Sequence, residues 1–149
     1  MDAIDRKILK VLQQDARASL QQIGQAVGLS ASPCWERIRK MEQAGVIEGY
    51  TVRLNSQALG LGDTVLVQVT LDSHSDNTLE KFGETLGAIP EVVEAYLVSG
   101  EYDYLLRVAV KDTRDYERLL RERLYKIKGI RHSKSSFVLR TLKKADLPL

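Results

Sequence analysis

Polar and basic side chains between residues 30 and 40 could bind a nucleic acid. Ser32 and the amides at the start of a helix suit a phosphate oxygen, because helix N-termini attract anions. Arg39 could bind a guanine edge or a phosphate. Trp35 could stack on a thymine methyl group or a sugar; the alternative is that it packs on the first helix of the chain. The predicted DNA-contacting set comprises Ser30, Ser32, Pro33, Trp35, Glu36, Arg37, Arg39 and Lys40.

A second group of residues that could bind a ligand surrounds Gly100. The free amides of a tight turn can hold a carboxylate, and the side chain of Asp103 can hold an ammonium group. The alternative is a plain hairpin loop, in which Gly100 supplies a positive φ and Asp103 accepts hydrogen bonds from local amides. From the residues alone, the plain loop is the favoured interpretation.

The remaining reactive side chains form no catalytic or metal-binding pattern. His74 and His132 are isolated and have no cysteine or second histidine at metal-ligand spacing, so we expect no metal and no cofactor. Cys34 is the single cysteine, which excludes an intrachain disulfide and fits a reducing compartment. It is expected to be an inert buried residue, because a redox role would lack a partner cysteine. An enzyme is the alternative class, but no acid–base set supports it.

The predicted DNA-contacting set lies in a pattern of two short helices joined by a tight turn. Ser19 and Gln22 form a capping-box pair, and Gly28 can end that first helix in the left-handed conformation. The second helix begins at Ser30 or Ser32, and its inward stripe is Cys34, Ile38 and Met41. This plan is a helix-turn-helix, whose second helix enters the DNA major groove. The alternative is a helical hairpin of some other α domain with a solvated basic face, where Arg37 pairs with an acidic residue of its own domain.

Flanking segments complete this first domain. Asp2 can cap a helix whose apolar stripe includes Ile4, Ile8 and Val11, with Asp5 near its positive end. After Gly45, residues 46–52 are expected to form a strand-like wing. We therefore predict a winged helix-turn-helix over residues 1–52 and a linker over residues 53–63.

The C-terminal part, residues 64–149, changes to the alternating pattern of strands. Strands are predicted over residues 64–71, 92–99, 104–110 and 131–142, with helices after the first and third strands. The order βαββαβ is the ferredoxin-like plan, so the fold class is α+β. Hydrophobic residues in both phases of every strand imply an uncovered apolar sheet face, which predicts a dimer through packed sheets.

The chain resembles the Lrp/AsnC family, the leucine-responsive or feast/famine transcription regulators. The resemblance is carried by GLSASPCWERIRKMEQAGVIEGYTVRLN at residues 28–55 and by GEYDYLLRV at residues 100–108, and it covers essentially the whole chain. It implies a C-terminal RAM-type domain that dimerises through its sheets and assembles further, commonly into octamers. It also implies a small effector, an amino acid, held between subunits. The implied effector-binding residues are Leu97, Val98, Ser99, Gly100, Glu101, Tyr102, Asp103, Tyr104, Ser135 and Ser136.

Composition restricts the function further. The net charge of the 149 residues is only +2, so any contact with DNA must come from a local patch. We expect no signal peptide and no membrane span, because the N-terminus is charged and no apolar run approaches about 20 residues. The sequence therefore predicts a cytoplasmic, effector-responsive transcription regulator that binds double-stranded DNA. The alternative is an architectural protein that wraps DNA with low sequence specificity.

Overall fold

The structure, a computed structural model, describes residues 1–73, 76–145 and 147–148. Contacts between residues divide the chain into two compact units. One unit comprises Met1–Arg53 with Lys143–Leu149, and the other comprises Leu54–Leu142. The elements are, in chain order, α1 (Ala3–Gln14), α2 (Leu20–Val27), α3 (Ala31–Gln43), β1 (Asp63–Leu71), α4 (Asp76–Gly87), β2 (Val92–Leu97), β3 (Tyr104–Val110), α5 (Thr113–Glu122), a short 3-10 helix (Leu124–Lys126) and β4 (Ile130–Phe137).

The first unit is a three-helix core in which α1 and α2 are capped as predicted. Asp2 accepts hydrogen bonds from the amides of Ile4 and Asp5, and the Asp5 carboxylate accepts one from the Asp2 amide. Ser19 and Gln22 form the same reciprocal pair at the start of α2. Of the two serines at which α3 was predicted to begin, Ser30 and Ser32, it is Ser30 that occupies the N-cap position. The core residues are Ile8, Leu9, Ile23, Cys34, Ile38 and Met41.

The predicted strand-like wing is wrong. None of residues 44–62, all of which the structure describes, is in a strand. The amides of Val46 and Ile47 both donate to the Met41 carbonyl, at 2.9 and 3.2 Å, so the chain folds back on the end of α3. Ile47 packs against the core, and the Tyr50 hydroxyl donates to Glu42 at 2.9 Å. These contacts replace the ladder that an extended wing would need from a second strand.

The second unit is a four-stranded antiparallel sheet in the order β2-β3-β1-β4. α4 and α5 cover one face, where apolar residues of β1 and β3 such as Val67 and Leu106 are completely buried with Leu86 and Leu119 of the helices. The predicted α+β class and the βαββαβ order are confirmed. Asp112 caps α5 through the Asp115 amide as predicted, but α5 ends at Glu122 rather than continuing to Gly129.

Two strands are shorter than predicted. β2 ends at Leu97, and β4 ends at Phe137 instead of reaching residue 142. Phe137 pairs with Val65, and the next rung is the Val138 amide on the Thr64 carbonyl at 2.9 Å. β4 ends here because β1 itself begins at Asp63, so no neighbouring strand remains to pair with residues 139–142.

The uncovered face of the sheet is only partly apolar. Leu66, Leu105 and Tyr96 lie on it, and the exposed fractions of Leu66 and Tyr96 are 37% and 51%. An ion pair between Arg107 and Glu94, at 2.6 Å, crosses the same face. The outward positions of β4 are polar, namely His132, Lys134 and Ser136. The prediction that every strand has hydrophobic residues on both faces is therefore wrong for β4.

Candidate functional site

α3 separates a buried stripe from a polar stripe. Cys34, Ile38 and Met41 are buried at successive turns of the helix, as predicted from the spacing. Residues on the remaining surface of α3 are exposed, namely Ser32, Trp35, Glu36, Arg39 and Lys40. The buried stripe fixes the rotation of the helix, so these five side chains are presented to solvent together.

A close approach of two backbones sets the turn between α2 and α3. The Gly24 carbonyl accepts hydrogen bonds from the amides of Gly28 and Leu29, at 2.8 and 3.0 Å. A Cβ atom at position 24 would lie 2.3 Å from the Leu29 carbonyl oxygen, so only glycine fits. Gly28 has the expected positive φ of 78°. Gly24 was not among the residues predicted to matter; the signal for it was a glycine inside an otherwise regular helix.

Trp35 and Arg39 form a pair on the exposed face of α3. The guanidinium carbon of Arg39 lies 5.3 Å from the centroid of the indole ring. This geometry is a cation–π contact between residues one helical turn apart. Trp35 is 48% exposed, which supports the interpretation as a surface residue over packing on the first helix. The indole therefore restricts where the Arg39 guanidinium can point.

Arg37, in contrast, is turned toward α1. Its Nη1 atom lies 2.7 Å from a carboxylate oxygen of Asp2 and 2.7 Å from one of Asp5. Arg37 therefore pairs with acidic residues of its own domain, as in the alternative interpretation of the sequence. Each of the two carboxylates also accepts the amide of the other residue, which is the largest cause lowering its pKa, and Arg37 lowers both pKa values further.

Three other residues of the predicted set lie around this ion pair. Pro33, Glu36 and Lys40 line a cleft of about 460 Å³ together with Arg37 and Asp5. Ser30 is exposed immediately before the helix, but within the described residues its hydroxyl makes no capping hydrogen bond. Its position beside the first free amides of α3 suits an anion.

The predicted effector turn is a hairpin between β2 and β3. The Val98 amide donates to the Asp103 carbonyl at 2.9 Å, and Gly100 has a φ of 132°. Ser99, Gly100 and Glu101 are exposed at its tip, and Tyr102 is half-buried. Leu97, at the end of β2, is 61% exposed.

Asp103 joins this turn to the end of β1. Its carboxylate accepts the Leu71 amide at 2.7 Å, and its own amide donates to the Val69 carbonyl at 2.9 Å. Asp103 therefore has contacts with β1, more than 30 residues away in sequence, in addition to the local hydrogen bond from the Val98 amide. Asp103 thereby fixes the position of the turn against the sheet.

The remaining predicted effector residues are not brought together. The Tyr104 side chain is in the core, where burial raises its pKa and its hydroxyl donates to the Leu79 carbonyl at 2.6 Å. Ser135 points to the helix-covered face and forms a hydrogen bond of 2.5 Å with the Tyr116 hydroxyl. Ser136 faces the opposite side, across from Leu66. Adjacent strand residues alternate between faces, so one monomer cannot present Ser135 and Ser136 to the same ligand.

The single cysteine and His132 form no metal site in the part of the chain that the structure describes. Cys34 is completely buried, and His132 is exposed on β4, whereas His74 lies outside the described residues. Among the described residues, no group of three or more His, Cys, Asp or Glu side chains could hold a metal ion. Within the same residues, no helix has the length and apolar character that crossing a membrane requires.

Comparisons with known proteins agree with this arrangement. The AsnC-type helix-turn-helix domain matches residues 1–42, and the Lrp/AsnC ligand binding domain matches residues 64–148. The leucine-responsive regulatory protein of Escherichia coli K12 is 38% identical over 146 residues, which are 98% of this chain and 89% of that protein. A crystal structure of an AsnC family transcriptional regulator from Agrobacterium tumefaciens has a TM-score of 0.94 and 41% identity, and covers 99% of this chain and 97% of its own.

A structure of a transcriptional regulator from Neisseria meningitidis in complex with L-Met is also similar. It has a TM-score of 0.93 and 32% identity, and covers 99% of this chain and 96% of its own. The first domain match lies within the first unit, and the second covers most of the second unit and continues into residues 143–148, which belong to the first unit. Together the two matches account for most of the sequence. The protein belongs to the Lrp/AsnC family of transcription regulators, which combine a helix-turn-helix domain with a ligand-binding domain.

Proposed function

We propose that this regulator reads operator DNA with α3 and responds to an amino acid bound by its C-terminal domain. In this proposal, residues 1–52 are the DNA-binding domain, residues 53–63 are the linker, and residues 64–149 assemble the subunits and hold the effector. The observation that carries the proposal is the exposed stripe of α3, because it presents basic, hydroxyl and aromatic groups from a helix whose opposite stripe is fixed in the core.

The groups of this stripe have different roles. Arg39, held against the Trp35 ring, binds a guanine edge or a phosphate. The Ser32 hydroxyl and the first amides of α3 donate hydrogen bonds to a phosphate oxygen, and Lys40 contacts the DNA backbone electrostatically. Arg37 is a positioning residue, because its guanidinium is engaged by Asp2 and Asp5.

The C-terminal sheet provides the symmetry that operator reading requires. The uncovered face carries Leu66, Leu105 and Tyr96, and packing it on a second copy would remove these side chains from water. A dimer presents α3 twice, so it reads two half-sites related by a two-fold axis. Further assembly of dimers, into octamers as in many members of the family, is part of the same proposal.

The effector site we propose is the turn that includes Ser99, Gly100 and Glu101. Exposed backbone amides at this tip suit the carboxylate of an amino acid. The relative from Neisseria meningitidis in complex with L-Met supports this class of ligand. Asp103 holds the turn against β1, so we assign it to positioning the turn. A partner subunit would complete the pocket.

The cellular setting follows from this role. The relatives described above are bacterial transcriptional regulators, so we infer a regulator that acts on DNA in the cytoplasm rather than an enzyme. Effector binding would then change DNA affinity or assembly through different affinities for two states.

One experiment tests the DNA-reading part. Duplexes selected from a random library by the full chain are footprinted with wild type and with Arg39→Ala. Protected half-sites with two-fold symmetry, weakened in the variant, are expected. Uniform protection of all duplexes, unchanged by the variant, would instead support the architectural alternative.

A second experiment tests the effector part. The melting temperature of the protein is measured with each of the standard amino acids, because a ligand of the folded state raises it. At least one amino acid is expected to raise the melting temperature and to change the affinity for the selected duplex. A stabilising amino acid that leaves DNA affinity and oligomer size unchanged would contradict the regulatory role.

A further inference from the structure

A strongly basic segment runs from the end of α5 into β4. Residues 121–134 contain six Lys or Arg residues and one Glu. The whole chain has 22 Lys and Arg against 20 Asp and Glu, so the remainder of the chain is net negative. Positive charge is therefore concentrated in about a tenth of the sequence, a separation that the net charge of +2 conceals.

The structure leaves most of these cations unpaired. Arg121 is 3.9 Å from Glu117 and 3.7 Å from Glu122. The cations that follow are exposed and, within the described residues, have no ion pair and no side-chain hydrogen bond. We call four of them the basic segment, namely Arg123, Lys126, Lys128 and Arg131. Lys134 is left out, because it lies on the uncovered sheet face that we assign to packing between subunits.

Some cations in this region can be explained by the need to keep the edge of the sheet from pairing with other chains, but not all of them. β4 is an edge strand, and lysines on such strands hinder pairing with other chains. Arg131 and Lys134 fit that role. Arg123, Lys126 and Lys128 precede the strand, on and around the 3-10 helix, where there is no ladder to protect. A merely solubilising surface would mix both signs of charge.

We propose that the basic segment binds the phosphate backbone of duplex DNA that flanks the operator. The inference rests on the proposed DNA-binding function. Duplex DNA carries one negative charge per about 1.7 Å, and each neutralised phosphate releases counterions. Unpaired, exposed cations gain most from this, because they give up no existing ion pair. Tyr125 is 63% exposed between Arg123 and Lys126, and its hydroxyl is a further donor for a phosphate.

The test compares two variants of equal charge. The triple variant Lys126→Gln, Lys128→Gln, Arg131→Gln removes three cations of the basic segment. The control variant Lys81→Gln, Lys111→Gln, Arg114→Gln removes three exposed cations elsewhere in the same unit. Affinity is measured with the full chain for a selected operator duplex and for the same duplex extended by several helical turns, over a range of salt concentrations.

Wild type is expected to bind the extended duplex more tightly than the short one. The basic-segment variant should lose about tenfold in affinity for the extended duplex and reduce the salt slope by about one per lost phosphate contact. Its affinity for the short duplex should stay within about twofold, and the control variant should match wild type on both duplexes.

Three results would overturn the proposal: equal losses on the two duplexes, equal losses in the control variant, or a changed oligomer size in sedimentation of the basic-segment variant. The last would mean that the segment binds another copy of the chain. Failure of the proposed function is a separate result, in which wild type does not prefer the selected duplex over random sequence. Long random duplexes would then serve as the probe for the basic segment.

Discussion

Arg37 and Asp5 join α3 to the start of the chain: Nη1 of Arg37 lies 2.7 Å from a carboxylate oxygen of Asp5. The exposed fraction of the Asp5 side chain is only 14%, so the pair is shielded from water on one side. Asp5 also closes the capping box of α1. One carboxylate therefore stabilises the first helix and orients α3.

This arrangement predicts an acid-sensitive N-terminal domain. Hydrogen bonds and Arg37 lower the pKa of Asp2 and Asp5 below the ordinary value of 3.8, so the unfolded chain binds protons at a higher pH than the folded chain. The stabilisation is complete above about pH 4 and is lost as the pH falls through the lowered pKa values.

The variant Asp5→Asn tests this dependence. Its melting temperature, followed by Trp35 fluorescence, should be lower than that of wild type near neutral pH, and the difference should shrink as the pH falls below 3.8. Asp72→Asn removes a carboxylate from the other unit and is the control. A difference that stays constant with pH would contradict the role of the ionised Asp5 carboxylate.

Replacing Trp35 should weaken DNA binding according to how well the new side chain supports Arg39. Trp35→Ala should reduce operator affinity about tenfold, whereas Trp35→Phe, which keeps an aromatic face, should cost about two- to threefold. Trp35 is the single tryptophan, so its fluorescence in the wild type also reports DNA binding directly. Equal losses for Ala and Phe would show that the cation–π contact is not used.

Cys34 should be unreactive until the N-terminal domain opens. It is completely buried in the three-helix core, and it is the single cysteine. A thiol reagent should therefore label native protein at the rate of local unfolding and should label Asp5→Asn faster. Fast labelling of native wild type would instead indicate an accessible thiol and reopen the possibility of a redox role.

Asp103→Ala should destabilise the C-terminal domain by about 1–3 kcal/mol, because the buried Leu71 amide loses its charged acceptor. Asp103→Asn keeps an oxygen acceptor and should cost less. Urea unfolding of both variants measures the difference. A variant that retains full stability but no longer responds to the stabilising amino acid would assign Asp103 to the ligand instead of the turn.

A charge on the uncovered sheet face should disrupt assembly. Leu66→Glu places a carboxylate among Leu105 and Tyr96, and burying that charge in a dimer would be unfavourable. Sedimentation equilibrium should show a shift toward monomer. Thr85→Glu adds the same charge on the exposed surface of α4 and should assemble as wild type does. Unchanged assembly of Leu66→Glu would contradict packing of sheet on sheet.

Local patterns predicted the elements better than the contacts between them. Some features depend only on residues close in sequence and could be predicted. Examples are the capping pair of Ser19 with Gln22 and the strand alternation of β1. The ends of elements depend on partners elsewhere: β4 stops where β1 begins, and residues 46–52 return to Met41 instead of finding a partner strand.

The candidate site shows the same division. The exposed stripe of α3 followed from helical spacing, but the spacing could not tell which side chains meet acids from another helix, as Arg37 does. Ser135 and Ser136 are adjacent in sequence, and only the strand register shows that they face opposite sides. Asp103 was assigned to the ligand on the family resemblance, and its contact with the Leu71 amide could not be predicted because Leu71 is distant in the chain.

Gly24 has a genetic consequence. A side chain at position 24 would collide with the Leu29 carbonyl oxygen and disrupt the packing of α3 on α2. The C-terminal sheet belongs to the other unit, so its residues are unchanged. Subunits carrying Gly24→Ala would then still associate with normal subunits. Their DNA-binding domains, however, could not bind an operator half-site. In a cell that expresses both alleles, the defective copy should therefore be dominant.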